Sequence, residues 1–547
     1  MKKIWKGLLA ILACGMLVFG AVACGGESSS VEENSSERNS HTHDFGEWET
    51  YQAATCYLAG EERRYCKYDG CTSPYYDDMP YYQSRIVDAI APAEGHNVSN
   101  GKCIRCQKTE NADLQFSLSD GTYQCVGMGN CKDRDIIIPK TYNNKAVTSI
   151  GDKAFSYCSL LTSIEIPNSV TSIGYEAFVS CRSLTSIAIP HSVTSIGDKA
   201  FFNCDNLTNI EIGNSVTSIG NKAFSYCDNL TNIEVSANNT VYQSIDGNLY
   251  TKGGKMFVCY AAGKMATSFT IPTSVTSIGG YAFSGCSNLT SIVIPDGVTS
   301  IGGSVFYDCD GLTSIVIPDS VTRIGSNFSG SDGSFYGCDN LTSIVIPDSV
   351  TMIGFYVFAG CSSLTSVKIG DGVRMICNDA FKGCSSLTNV EIGVSVTSIG
   401  RYAFSGCSSL RSIEIPDGVK SIDESTFSGC SSLTSIEIPD SVIVIGDSAF
   451  SGCGMTNIKI PDSVTSIGNK AFEGCKNLTS IKIPDSVTSI GGGAFGGCDS
   501  LKSAIFKDPE GWRSLDGLKI ISSTDLGYAS TAAYYLTKQC GKGWWKV

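Results

Sequence analysis

The chain has 547 residues, 42% of them hydrophobic and 17% charged, with a formal net charge of −13. This apolar share is normal for folded protein and argues against widespread disorder. The acidic balance argues against nucleic acid as a partner, because binding phosphates needs clustered Lys and Arg.

Lys2, Lys3 and Lys6 precede an apolar run over residues 7–23. A basic start, an apolar core and small residues before a cleavage point make an export signal, so residues 1–23 are read as a signal peptide. The run falls short of the ~20 apolar residues of a membrane-spanning helix. Its end, Ala21-Val22-Ala23-Cys24, resembles a bacterial lipobox, with Ala21 where Leu is commonest. The resemblance implies cleavage before Cys24 and a diacylglycerol on its sulfur. The protein is then expected outside the cytoplasm, lipid-anchored to the cell membrane. Residues 24–40 are polar and acidic, too poor in apolar side chains to fold, and read as a disordered tether.

Residues 41–110 form a small Cys/His-rich module. Cys103-x-x-Cys106 has a knuckle spacing that brings two thiolates from one tight turn to one ion, whereas the four residues between Cys66 and Cys71 make a looser pair. Cys66, Cys71, Cys103 and Cys106 are the candidate zinc ligands, with Cys56, His41, His43 and His96 as further donors. Disulfides are the competing reading, since thiols outside the cell oxidise; five Cys cannot all pair within the segment. The segment resembles a small module of surface proteins of gut bacteria, with His-x-x-x-Gly-x-Trp near its start. Neither reading implies an open catalytic site.

A repeat follows. One Cys per unit falls at 158, 181, 204, 227, 286, 309, 338, 361, 384, 407, 430, 453, 475 and 498, a step of 23 residues almost throughout. A fixed period of this length means a solenoid. In the unit Leu161 to Cys181, alternation around Ile164 and Ile166 marks a strand with the isoleucines inward and Ser163 and Glu165 outward. Pro167 ends the strand. Val170 and Ile173 add inward groups, Gly174 permits a turn, and Ala177, Phe178 and Cys181 fit one side of a short helical turn. Neighbouring cysteines would hold their Cβ atoms ~5 Å apart and parallel, whereas a disulfide wants ~3.8 Å, so the column reads as small buried hydrophobes. Residues 111–146 read as an N-terminal cap, 147–506 as the repeats, 233–271 as an inserted hairpin island around Asp246-Gly247, and 507–547 as a C-terminal cap carrying Trp512, Trp544 and Trp545.

The word VTSIGxxAFxxCxxLTSIxIP, repeated nearly verbatim from about residue 121 to 506, is similar to that of the BspA-like leucine-rich repeat family. The resemblance implies a repeat solenoid of about 23 residues per coil with a parallel β-sheet on one face, short second strands and short helical turns. It further implies adhesion to host matrix proteins, epithelial cells or other bacteria.

No phosphate loop, dinucleotide glycine pattern or HExxH is present, and the array holds one histidine, His191. The protein is therefore not expected to be an enzyme, and no cofactor is implied beyond the zinc reading. The informative column is the residue between the two strand isoleucines. It reads Glu165, Ala188, Glu211, Glu234, Val293, Val316, Val345, Lys368, Glu391, Glu414, Glu437, Lys459 and Lys482. Inward columns hardly vary while this one changes charge in blocks, which suits a binding face for a host or bacterial surface protein or a glycan. The expected function is an adhesin-like surface protein acting as a monomer. The alternatives are a structural envelope spacer, or an accessory lipoprotein capturing glycan or metal through the Cys/His segment or the terminal tryptophans.

Overall fold

The computed structural model describes residues 113–326, 333–514, 521–539, 541 and 543–546, with the backbone alone at 539. It also describes the strand backbones of 49–52, 60–65, 72–73, 76–80, 82–87, 98–99 and 102–103. The chain divides into two compact units, Met1–Gln115 with Met128–Asp133, and Phe116–Gly127 with Arg134–Val547. In the first, Glu49–Gln52, Gly60–Tyr65 and Tyr82–Val87 form an antiparallel sheet. Val98–Ser99 pairs antiparallel with Lys102–Cys103.

The second unit is a parallel β-solenoid, and its sequence explains each side of the coil. On the first side, strands such as Ser186–Ile189 and Asn209–Ile212 pair parallel, Ile187 on Ile210 and Ile189 on Ile212, with every isoleucine buried. On the second side, two-residue strands such as Ser172–Ile173, Ser195–Ile196 and Ser218–Ile219 form their own parallel ladder. On the third side, where Ala, Phe and Cys predict a short helical turn, the chain makes consecutive turns. Cys181 N–H donates to the Phe178 carbonyl at 3.2 Å within the coil, but Phe178 N–H donates to Ala200 of the next coil at 2.7 Å. The third side is thus a ladder of turns rather than helix, and the solenoid is hydrogen-bonded coil to coil all the way round.

The core is a set of columns. Phenylalanine rings stack face to face from Phe155 through Phe178 and Phe201 to Phe224, and again from Phe257 to Phe495, at centroid spacings such as 5.1 Å for Phe178–Phe201. Beside them the thiols of Cys181, Cys204, Cys309, Cys384, Cys430 and Cys498 each donate to the carbonyl of the phenylalanine one coil earlier, at 2.8–3.2 Å. The column cysteines are therefore hydrogen-bonded as well as apolar filling.

The glycines after the second strand at Gly174 and Gly197 have a different cause from the turn expected there. Gly197 does not take a positive φ; a Cβ there would lie 2.6 Å from the backbone of Gly174. It is the close approach of two coils that excludes a side chain. The left-handed conformation falls two residues later, at Glu176 (φ 51°) and Lys199 (φ 53°).

Within residues 233–271 the chain leaves the regular path. Tyr242–Ile245 and Asn248–Thr251 form a hairpin whose turn residues Asp246 (φ 49°) and Gly247 (φ 69°) both have positive φ, the signature of a type I′ turn. Asn248–Thr251 then pairs antiparallel with Met256–Cys259, which rejoins the second ladder against Ser277–Ile278. This coil lacks the outer turn of the third side, and side chains bridge the gap. Lys222 Nζ lies 4.3 Å from the Tyr281 ring centroid and 4.5 Å from that of Tyr307. The Tyr226 hydroxyl reaches across Gly285 to donate to Asp308 Oδ2.

At the far end Ser503–Phe506 closes the first ladder. Trp544–Lys546 pairs antiparallel with both Ser489–Ile490 and Trp512–Ser514, ending the second. Helices Ser523–Gly527 and Ala529–Tyr534 bury Leu526, Ala532 and Ala533, and Trp512 and Trp544 sit beside Phe506. Among the described residues no helix is long and apolar enough to cross a membrane.

Candidate functional site: the first-strand face

The alternation of the first strand decides what faces outward: one residue between two buried isoleucines. Glu165, Ala188, Glu211, Glu234, Val293, Val316, Val345, Lys368, Glu391, Glu414, Glu437, Lys459 and Lys482 are all exposed. The pairing lines them up. Ala188 lies beside Glu211 and Glu211 beside Glu234; Val293 lies beside Val316, Val345 beside Lys368, Lys368 beside Glu391, and Lys459 beside Lys482. A bridge joins Glu414 to Glu437. The sequence-derived positions thus fall in register-paired runs, interrupted after Glu234, where the Ile233 N–H donates to Gly247 of the inserted hairpin.

The line is longer than sequence reading alone made it. Thr270, inside the segment read as an island, pairs with Val293 and continues the column. Ile505 pairs with Lys482 and extends it at the other end. Thr270 was hidden because Phe269 stands where the strand isoleucine is expected, so the motif was not visible in its coil.

Flanking groups are already engaged. The hydroxyl of Thr208 donates to the Thr185 carbonyl at 3.0 Å, Thr231 to Thr208 at 3.2 Å, and Thr313, Thr365, Thr388 and Thr479 repeat the pattern. Asn232 Nδ2 likewise donates to Asn209 Oδ1 at 2.7 Å. These side chains splice coils together. By contrast, none of the carboxylates of Glu165, Glu211, Glu234, Glu391, Glu414 and Glu437 makes an ion pair or hydrogen bond among the described residues. Like charges stacked on neighbouring strands weaken a sheet, so the Glu414–Glu437 pair does not stabilise the coil. The central valines are 54%, 76% and 59% exposed at Val293, Val316 and Val345. Three large apolar groups in line on a regular polar surface form a patch.

Lysines border the far block. Asp462 is held below the usual carboxylate range, first by its hydrogen bond from Lys507 and further by Lys482 and Lys459.

A depression interrupts this face. A cavity of about 380 Å³ is lined by Ala188, His191, Glu211, Gly213 and Glu234 among others. His191 Nδ1 accepts the backbone N–H of Asn214 at 3.2 Å, which leaves Nε2 as the donor.

The remaining sequence-derived sites lie elsewhere. Cys24, Cys66, Cys71 and Cys106 are outside the described residues, and Cys103 is described only as strand backbone. Among the described residues no group of three His, Cys, Asp or Glu side chains is placed to hold a metal ion. Trp544 is 2% exposed, so it is not available to stack on a sugar, whereas Trp545 is 38% exposed.

A regular coil with an L-x-x-L-x-L opening, a parallel sheet and constant inward columns defines a leucine-rich repeat protein. The family model for the BspA type leucine rich repeat region matches residues 129–250, 258–332, 329–453 and 397–510, and the chain belongs to that family. Among solved structures, it is similar to a leucine-rich repeat protein from Eubacterium ventriosum, at 27% identity and a TM-score of 0.47, covering 64% of this chain and 94% of that one. It is also similar to a leucine rich cell surface protein from Faecalibacterium prausnitzii, at 28% identity and a TM-score of 0.38, covering 75% and 96%. A third, a leucine-rich repeat protein from Bacteroides ovatus, has 28% identity and a TM-score of 0.38, covering 68% and 94%. No curated relative matches the chain.

Proposed function

We propose that the protein is a lipid-anchored binding protein of the bacterial surface that engages a protein partner along the first-strand face. The observation that carries this reading is the contrast between columns. Inward letters and splicing threonines hardly vary, while the exposed letter changes between acidic, apolar and basic blocks without forming ion pairs within the sheet. Solenoids generally use such extended faces for binding. The central valines supply apolar area to bury, and the flanking charges supply register and approach. The basic start, apolar run and Cys24 support export and anchoring.

The test is direct binding of the soluble protein from residue 41 onward to a panel of purified host matrix, epithelial and bacterial surface proteins. Any partner found is measured again with Val316→Asp and Glu414→Lys. Weakening of about tenfold or more by Val316→Asp is expected if the patch is the buried centre of the interface. A partner whose affinity neither change alters does not use this face.

A further inference from the structure

Places where the repeat departs from its own consensus are scattered in sequence, yet three of them meet at one spot on the solenoid. Ala188 stands where the other coils carry a larger side chain, Glu, Val or Lys in most. On the next two coils, Gly213 and Ser236 stand where Pro167 and Pro190 close their strands. Three side chains are thus shortened around one point, and the result is the 380 Å³ cavity. Close packing of the coils keeps a side chain off Gly213, since a Cβ there would lie 2.5 Å from the Pro190 carbonyl oxygen.

The walls have a definite chemistry. Glu211 and Glu234 are register partners on adjacent strands, which sets them ~4.8 Å apart along the sheet. Neither carboxylate has an ion-pair partner among the described residues. His191 lines the cavity with its Nδ1 already engaged by Asn214. Two unpaired carboxylates side by side along the cup, with Ala188 next to Glu211, ask for a flat cation on an apolar stem. A guanidinium satisfies both, because its rigid fork of donors can bridge two carboxylates while an ammonium acts as a point charge.

We propose that the cup between Glu211, Glu234 and His191 receives an arginine side chain of the protein partner, as an anchor at one end of the binding face. This rests on the first-strand face being the ligand-facing surface, and the test separates the two ideas. The full chain in detergent is titrated with acetyl-Ala-Arg-Ala-amide, with its citrulline counterpart of the same shape but no charge, with the lysine counterpart, and with glucosamine. Saturable binding of the arginine peptide is expected, with citrulline about tenfold weaker or more and lysine in between. Glu211→Gln with Glu234→Gln should lower affinity by about tenfold or more, and Ala188→Trp should abolish binding by filling the cup. Asp417→Asn with Asp440→Asn, two exposed acidic side chains outside the first-strand column, should leave binding unchanged. Unaltered circular dichroism of each variant shows that it folds.

Equal binding of arginine and citrulline peptides overturns the proposal. So does equal loss in the Asp417/Asp440 variant, which would mean diffuse attraction to an acidic protein. Glucosamine binding more tightly than the arginine peptide would assign the cup to an amino sugar instead. If no peptide binds while a protein partner still depends on Val316, the cup fails and the face stands. If the peptide binds as expected but no partner responds to Val316→Asp, the face reading fails on its own.

Discussion

The Cys430 thiol donates to the carbonyl oxygen of Phe404, one coil earlier, at 3.2 Å. The same carbonyl accepts the backbone N–H of Cys407 in its own coil at 3.2 Å. One oxygen therefore ties two coils through two cysteines, beneath a stack of phenylalanine rings spaced 5.3 Å at Phe381–Phe404 and 5.7 Å at Phe404–Phe427. Replacing Cys430 by Ala removes a buried hydrogen bond and leaves a small void, and should destabilise by about 1–3 kcal/mol. Phe404→Ala should cost more, about 3–5 kcal/mol. Urea unfolding measures both; a Cys430→Ala variant as stable as the parent would mean that the thiol contributes only volume that the coil can close.

Burial pushes the Cys430 thiol up to about 12 from an ordinary value of 9.0, and raises Cys361, Cys407 and Cys453 in the same direction. The folded state thus keeps protons that the unfolded chain releases above pH ~9. Stability from these thiols is fully present below pH ~9 and is lost as pH rises toward 12. Each such group contributes a slope of about 1.4 kcal/mol per pH unit in that window. Urea midpoints from pH 8 to 10 should fall steeply, and the fall should soften when column cysteines are replaced by Ala. A flat profile over that range rules the linkage out.

Val316 is 76% exposed and supports no neighbouring core. Val316→Asp should change stability by no more than about 0.5 kcal/mol, as surface substitutions usually do, so any loss of binding is a loss of contact. Glu414→Lys relieves the repulsion from Glu437 and should slow association with a basic partner, with a weaker dependence on salt. Surface plasmon resonance at two salt concentrations separates the two effects.

The bridge over the irregular coil depends on a missing side chain. Gly285 has φ 76°, and a Cβ there would sit 3.3 Å from the Tyr226 ring that crosses to Asp308. Tyr226→Phe removes the donor to a partly buried carboxylate and should cost about 1–3 kcal/mol. Gly285→Ala should cost about 1–2 kcal/mol from backbone conformation and crowding together. In a double-mutant cycle the two changes should be non-additive, because the first frees the ring that the second displaces. Strict additivity would show that the ring does not need the glycine.

Two glycines test the distinction between close approach and conformation. Gly197→Ala would force a Cβ to 2.6 Å from the backbone of Gly174 and should cost about 3 kcal/mol or more by overpacking against rigid neighbours. Gly253 has φ 84° with nothing within 4 Å of a built Cβ, so Gly253→Ala carries backbone strain alone, about 1–2 kcal/mol. Thermal unfolding of the two variants should rank them in that order.

The coil was legible in the sequence wherever a letter recurs for one physical reason. Ile187 and Ile189 alternate because a strand has period two, and Phe201 and Cys204 recur because each coil presents the same wall to the next. The third side was not legible as turns, because Ala177, Phe178 and Cys181 at spacings of one and three also suit a helix. Only the hydrogen bond from Phe178 to Ala200 separates the two. Gly174 read as a turn residue because sequence cannot show that another coil's backbone lies against it. The cup was invisible for a further reason: Ala188, Gly213 and Ser236 sit on three coils and look like independent drift until the register places them together.

The phenylalanine stack that ends at Phe224 and resumes at Phe257 has a mechanical consequence. Were the solenoid anchored at one end and bound along its first-strand face, as proposed, drag on the cell would load it in tension. On either side of the irregular coil, tension is shared among backbone ladders, stacked rings and thiol bonds in parallel. At the joint, part of that load falls to Lys222 between two tyrosines and to the Tyr226–Asp308 contact. Under such a load the joint is where the solenoid would yield first, sparing the ordered blocks on either side.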